Sequence, residues 1–448
     1  MAALLVPSSQ AQAADGNPDL GAVDFVVGGA TVPAGEHGYV VSIQQRTGPV
    51  TWTHFCTGTL IQPSWVLTAA HCLSDTAPPL QHVRVVSGTQ DLGATGQTST
   101  IASAFVFPWF LREPTLPYSG DLALLQLSSA SASPTLGLAD AATEPFWDGT
   151  SGATVVGWGD SESGPGQTFP THLQHGQVTI GSDSACAAAL GAIYDVGGDI
   201  CTSVEGVSAC NGDSGGPVIA TSRTGDDVLV GIISSGAAGC NGPGDYTRVS
   251  AFRGWIDATT GEGEFEDGNG YWLANTAGHT RSFGGAVHWG NGPADSAESG
   301  FVDFAAAPDG RSYWYLTAIG RLDGLGLTGW ADQSSAPRPL EPGEVFTSLA
   351  MTPTGDGLWL FTSAGRLVTL GDAGRFPANG QLGQPDDLAA LILNGPIIDA
   401  RPTPTGNGYY MVGSDGGVFT FGDARFAGST GSTPSPHPVF AIASTSNP

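Results

Sequence analysis

Along the first half of the chain, short runs of Val, Ile and Leu alternate with polar clusters of Gly, Pro, Ser and Asp. Val40-Val41-Ser42-Ile43, Trp65-Val66-Leu67-Thr68, Val83-Arg84-Val85-Val86, Leu122 to Leu127, Val155-Val156-Gly157-Trp158 and Val228 to Ile233 have the length and β-branched content of strands. Helical periodicity is scarce. Asp183 to Leu190 reads as a helix capped by Ser182, and Ser250 to Ala258 as a second around Trp255-Ile256. Many strands with few helices predict an all-β sandwich or barrel. Gly261-Glu262-Gly263-Glu264 marks a change of style.

Beyond Glu264 the pattern repeats. Phe301-Val302-Asp303-Phe304 to Gly310, Phe346-Thr347-Ser348-Leu349 to Gly355, Ile397-Ile398-Asp399-Ala400 to Gly406 and Val439-Phe440-Ala441-Ile442 to Pro448 align, with starts 45, 51 and 42 residues apart. The first three run directly into Tyr313-Trp314-Tyr315-Leu316, Leu358-Trp359-Leu360-Phe361 and Tyr409-Tyr410-Met411-Val412. An orphan second half, Asp267-Gly268-Asn269-Gly270-Tyr271-Trp272-Leu273, stands at the front, so each end supplies what the other lacks. A ring closed by its first and last strands has that order, which predicts a four-bladed β-propeller; an open solenoid is the alternative. Two regions result, a strand-rich part up to about Gly261 and the repeats, 264–448.

Composition agrees with this division. The chain has 448 residues, and domains usually hold about 100 to 200. Against 41 Asp and Glu stand 14 basic residues, all Arg, for a net charge of −27. Such a surface repels phosphates and anionic headgroups, which excludes sequence-independent binding to nucleic acid or membranes. Six Cys fit three disulfides and an oxidising compartment. Met1 to Val6 is apolar and Ala11-Gln12-Ala13 reads as a signal cleavage site. No stretch reaches the ~18 apolar residues of a membrane span, so a soluble, secreted protein is expected.

Three motifs carry chemistry: Thr68-Ala69-Ala70-His71-Cys72, Asp121-Leu122-Ala123-Leu124-Leu125 and Gly212-Asp213-Ser214-Gly215-Gly216-Pro217. A Ser hydroxyl needs a base to take its proton, and imidazole needs a carboxylate to fix its tautomer. His71, Asp121 and Ser214 supply those three roles, while the glycines let the Gly212 and Ser214 N–H groups face a developing oxyanion. Taken singly, each motif is weak. Gly212 to Gly216 also matches the G-x-S-x-G elbow of α/β-hydrolases, but there His follows Ser, and the later His279, His288 and His437 lie in the repeats. The order His, Asp, Ser is the other one.

With these motifs, residues 26 to about 260 resemble a trypsin/chymotrypsin-like serine endopeptidase. Val26-Val27-Gly28-Gly29, Gly157-Trp158-Gly159, Ser234 and Pro243-Gly244-Asp245-Tyr246-Thr247-Arg248-Val249 match further family motifs. The resemblance implies two six-stranded β-barrels with the triad between them, a helix near Trp255, and bridges Cys56–Cys72, Cys186–Cys201 and Cys210–Cys240. It also implies a zymogen: cleavage after Phe25 would free the Val26 amino group to insert beside Asp213. Residues 1–25 would then be signal and propeptide. Ser208 falls at the base of the primary specificity pocket, and Gly236 and Gly244 on its walls, which implies a preference for large apolar or aromatic residues. Phe25 fits such a preference and suggests self-activation. Asp245 replaces an apolar residue beside the pocket wall and keeps trypsin-like cleavage open. Ser235 replaces the aromatic shelf for upstream substrate residues.

His37, His54, His82, His172 and His175 show no ligand spacing, and the loop Ser87 to Thr100 holds one acid, Asp91, so no metal or other cofactor is expected. The repeats are similar to Gly-Tyr-Trp/Asp-Gly-Gly-Val-Phe-x-Phe-Gly-Asp-Ala repeats appended to secreted bacterial hydrolases, with Tyr409 to Arg425 matching best. Trp272, Trp289, Trp314, Trp330 and Trp359 form the blade core or stack on a polymer or protein partner. A non-catalytic adhesion protein acting through the repeats is the remaining alternative.

Overall fold

The apolar runs of the first half become strands, and their alternation decides which face turns inward. The computed structural model describes residues 26, 28–73, 78–108, 110, 120–140, 151–160, 169–202, 207–236, 240, 242–261, 270–293, 300–326, 339–432 and 437–443. Residues 1–25 with Phe25, Val27, Asp267 to Asn269, Trp330 and residues 444–448 lie outside them.

After a short β1 (Ala30–Thr31) come β2 (Val40–Arg46), β3 (Trp52–Gln62), β4 (Trp65–Thr68), β5 (Val83–Ser87), β6 (Gln97–Val106) and β7 (Ala123–Leu127). The last six close into an antiparallel barrel in the order β2-β3-β4-β7-β6-β5, with β5 returning to β2 at Ser42↔Val86. Val41, Ile43, Leu60, Val66, Leu67, Leu124 and Leu125 are fully buried, each contributing about 1.5–3 kcal/mol of apolar transfer. Gly58 is part of that packing, because a Cβ there would lie 2.6 Å from Val66 Cγ1.

The second half of this region holds β8 (Gly137–Leu138), β9 (Ser151–Gly157), β10 (Gln174–Ile180), β11 (Asp199–Cys201), β12 (Pro217–Thr221), β13 (Asp227–Gly236) and β14 (Gly244–Arg248). They form an eight-stranded sheet in the order β1-β10-β9-β12-β13-β14-β11, with β8 parallel to β13. Within it the path β10-β9-β12-β13-β14-β11 supplies the expected second set of six strands, closed only narrowly, where the Gly181 N–H bonds Cys201 O. Among the described residues β10 and β11 meet at a single bridge, Ile180↔Thr202. Helix α1 (Asp183–Leu190) and the Cys186–Cys201 bridge occupy the interval between them. Ser182 caps α1 by accepting the Ala185 N–H, as its sequence predicts. Helix α2 (Arg253–Thr260) starts three residues later than predicted, because Val249–Phe252 winds first as a 3-10 turn. Gly261, left-handed at φ 80°, ends it.

The repeats fold as repeats. A hairpin, β15 (Tyr271–Ala274) with β16 (Thr280–Phe283), precedes three antiparallel three-stranded sheets. These are β17 (Phe301–Ala306), β18 (Ser312–Thr317), β19 (Leu322–Gly326); β20 (Phe346–Met351), β21 (Gly357–Thr362), β22 (Leu367–Gly371); and β23 (Ile397–Pro402), β24 (Gly408–Gly413), β25 (Val418–Gly422). Each first strand slips register at the same place, Phe301/Asp303, Phe346/Ser348 and Ile397/Asp399. The repeats are joined by an equivalent contact: Asp303 Oδ2 accepts the Leu349 N–H at 2.8 Å, and Asp399 Oδ2 accepts the Ile442 N–H at 3.0 Å. Trp289, Trp314 and Trp359 are buried in the cores, and Trp272 packs on Tyr313. Their rings are therefore not an exposed stacking platform. Among the described residues no strand forms at Val439 to Ile442 to pair with β15; Val439 N–H instead bonds Ser414 O.

Candidate active site

His71 sits in the 3-10 turn Ala70–Leu73 that follows β4, pinned by the Cys56–Cys72 disulfide. Asp121 lies two residues before the start of β7, the neighbour of β4 in the barrel. Pairing of these strands brings the two motifs together across 50 residues of sequence. His71 Nδ1 lies 2.6 Å from Asp121 Oδ2, and the His71 N–H donates to Asp121 Oδ1 at 2.8 Å. Asp121 is fully buried, and Ser234 Oγ and Thr247 Oγ1 also donate to it, at 2.7 Å to Oδ2 and 3.0 Å to its carbonyl. Burial by itself lowers the His71 pKa, but the hydrogen bond and charge of Asp121 outweigh it and hold the imidazole above its ordinary value.

Ser214 comes from the other sheet, on the turn before β12. Its carbonyl accepts the Thr57 N–H at 2.8 Å and lies 3.8 Å from Cys72 Sγ. Next to it, a Cβ on Gly215 (φ 82°) would overlap Thr68 Oγ1, so the serine turn is pressed against the histidine turn. Among the described residues the Ser214 hydroxyl makes no hydrogen bond, and neither the Gly212 nor the Ser214 N–H has an acceptor. Catalytic Ser–His contacts commonly tighten when substrate binds.

The support under this turn is not written in the motifs. Gly212 (φ 98°) has its carbonyl held by Thr57 Oγ1 at 2.9 Å and His54 Nε2 at 3.0 Å. His54 Nδ1 in turn meets Ser42 Oγ at 2.9 Å. This second Ser–His pair is buried, and its imidazole is pushed down to about 4 by burial, so it is neutral at neutral pH. The arrangement orients the Gly212 peptide rather than offering a nucleophile to solvent. Asp213 turns inward, where Gly159 N–H and Cys210 N–H reach its carboxylate at 2.7 and 2.9 Å. A Cβ on Gly157 or Gly159 would overlap that carboxylate, which explains the glycines around Trp158. Burial pushes the Asp213 pKa up to about 7 against those two hydrogen bonds.

Ser208 is buried and uncharged, donating to Ala209 O at 3.2 Å; Gly236 and Gly244 face each other across β13 and β14. Asp245 follows Gly244 in β14, and strand alternation places it on the opposite face from Gly244 and Tyr246. There it is 1% exposed, 3.5 Å from Ser235 Oγ, with Oδ1 unpartnered. Burial, then the charges of Asp195 and Asp121, push it up to about 8. Cys186–Cys201 and Cys210–Cys240 flank the region. Pairing of β1 with β10 also gathers Glu36, His37 and His175, each offering a donor atom within 4.8 Å of the others, a proximity no local spacing reveals.

Comparison with known proteins adds three findings. A family profile described as Trypsin matches residues 26–256. Coagulation factor XII of Cavia porcellus is 33% identical over 267 residues, covering 54% of this chain and 41% of that protein. Coagulation factor XII of Bos taurus is 33% identical over 257 residues, covering 53% of this chain and 40% of that protein. The matched region thus spans about two-fifths of those curated relatives.

Proposed function

The chain belongs to the trypsin family of serine proteases, and on that premise we propose that residues 26–260 are a secreted endopeptidase domain using His71, Asp121 and Ser214. Residues 1–25 are its signal and propeptide, and 264–448 a four-bladed, propeller-like domain. Peptide-bond hydrolysis follows from the site. Ser214 Oγ attacks the acyl carbon as His71 takes its proton; the oxyanion receives the Gly212 and Ser214 N–H groups. Collapse expels the amine, protonated by His71, and leaves an acyl-enzyme that water opens by the same steps. The single observation that carries this reading is the His71–Asp121–Ser234 network beside a turn with two unengaged N–H groups.

For specificity, the neutral Ser208 and the side-chain-free Gly236 and Gly244 support large apolar or aromatic residues before the scissile bond. Asp245, facing away from Gly244, weighs against the trypsin-like alternative. A panel of peptides with Phe, Leu, Arg or Ala at that position is expected to favour Phe and Leu over Arg by roughly tenfold or more. A preference for Arg would overturn the assignment.

Activation is read from Asp213. Its raised pKa means the folded, unprocessed chain binds a proton that the unfolded chain releases near 3.8, so stability falls as pH rises toward 7. An ammonium freed at Val26 would pair with the carboxylate and remove that loss. Melting curves between pH 4.5 and 7.5 are expected to fall for the unprocessed chain and stay flatter for the form starting at Val26. Identical pH dependence would sink the pairing.

A polymer or protein partner for the repeats remains the second reading. Its support is a groove lined by Leu391, Ile392, Phe419 and Phe426, where Ile392 is fully exposed. The intact catalytic set weighs against a purely adhesive protein.

A further inference from the structure

The start of the repeat region is built into the protease rather than hung from it. Trp289 is completely buried, stacked on Phe107 with ring centres 5.4 Å apart, and Phe107 also meets Phe252 at 5.0 Å and Trp255 at 5.5 Å. The Phe107 N–H bonds the carbonyl of Leu122, the residue after Asp121. His288 N–H and Ser282 Oγ both donate to Ala251 O, at 3.0 and 3.2 Å. Arg281 lies 3.2 Å from Asp183 of α1, which Arg248 also engages at 2.8 Å.

The strongest contact is to a buried acid. Asp195, 4% exposed, receives His288 Nε2 on both carboxylate oxygens, at 3.0 and 2.9 Å, and Asn291 Nδ2 on Oδ1. The turn it begins is closed on itself: Asp195 N–H donates to Asp199 Oδ2, and Asp195 O accepts from Gly198 and Asp199. There is no slack against the repeats, because a Cβ on Gly197 would overlap Thr280 O and one on Gly198 would lie 2.8 Å from His288 Cδ2. A buried carboxylate is costly unless hydrogen-bonded, and two of its donors come from beyond residue 260.

From this turn a continuous ladder leads to the cleft. Asp199 begins β11, whose Cys201 pairs with Asp245 of β14, which pairs with Ser235 of β13. Ser234 and Ser235 belong to the strand along which the residues upstream of the scissile bond are expected to lie. Phe107 reaches the same region from the barrel side through Leu122. Two supports of the cleft, one from each half of the protease, therefore rest on one repeat segment, 280–292.

We propose that His288, Asn291 and Trp289 are positioning residues of the protease, holding the Asp195–Asp199 turn and Phe107 so that the cleft fits an extended substrate. This rests on the triad reading above. The repeats thereby set affinity for residues upstream of the scissile bond while leaving the chemical step alone. His288→Ala and Asn291→Ala in the full chain test it, each assayed with an amide bearing one residue and a peptide bearing four residues before the scissile bond. KM for the long peptide is expected to rise roughly tenfold, as loss of a buried hydrogen bond to a charged group would produce. Its kcat, the short amide and sulfonyl fluoride labelling of Ser214 are expected to stay within about twofold. His288→Gln, which keeps a donor toward Asp195, is expected to restore KM. Parallel losses on both substrates, or no change on either, overturn the proposal. Should His288→Ala fail to fold, Asn291→Ala decides it by the same ratio of KM values. A wild-type chain, processed at Val26, that takes no label would overturn the triad reading and this proposal together, whereas a labelled enzyme with unshifted KM sinks the proposal alone.

Discussion

A Ser214→Ala chain is expected to fold normally yet lose roughly a millionfold in kcat on peptides, together with all labelling by sulfonyl fluorides. The physical reason is that in the proposed mechanism Ser214 Oγ is the atom that forms the acyl bond. Ser214 is half-buried and its hydroxyl supports no other group, so its removal leaves no buried partner stranded. His71→Ala is expected to cost about as much, and the double variant no more, because nucleophile and base act as a unit. Ser42→Ala is the informative contrast. Ser42 serves His54, which serves the Gly212 carbonyl, so the variant is expected to lose about 1–3 kcal/mol of stability and retain labelling. If Ser42→Ala abolished labelling and Ser214→Ala did not, the two pairs would have to exchange roles.

Replacing Asp121 with Asn is expected to cost about 10⁴ in kcat, read as a kcat change on a saturating substrate. His71 Nδ1, the His71 N–H and Ser234 Oγ all point at this carboxylate. An amide presents its own donors to at least one of them, and imidazole then takes the other tautomer, with its proton toward Ser214. The pH profile carries a second sign. In the wild type the activity limb is expected above the ordinary His value of 6.5, with kcat/KM dropping about tenfold per pH unit below it. In Asp121→Asn the burial that lowers the imidazole is unopposed, so the limb moves to lower pH. The same linkage governs stability: protonated His71 against Asp121 stabilises the fold fully below about 6.5, and that contribution is lost as pH rises through the raised folded value. A profile unmoved by Asp121→Asn would remove the pair from the reaction.

Some of this was legible because it is local. Trp65–Thr68 and Asp183–Leu190 are bounded as their apolar run and Ser182 cap predict. The repeat alignment anticipated recurring strand units, and three of them fold as sheets that share a register slip, since an equivalent local pattern folds equivalently wherever it recurs. The position of α2 was less legible, because the tertiary packing of Phe252 and Trp255 against Phe107 sets where the 3-10 turn gives way to helix. Nor could spacing show that Asp245 turns away from the Gly244 side, which depends on the phase of β14.

What the amino-acid order alone determined are the chemical parts: a nucleophile framed by glycines, an imidazole beside a cysteine, a carboxylate before a strand, and a repeating strand pattern. Each is set by neighbours within a few residues, where backbone conformation and side-chain chemistry are coupled directly. Tertiary structure decided what those parts touch. Ser234 meets Asp121 across 113 positions, His54 meets Gly212 across 158, and His288 meets Asp195 across 93. Such contacts exist because closing the barrel and burying Trp289 release apolar surface from water, and that non-directional force brings together polar groups whose separation in sequence carries no trace of it.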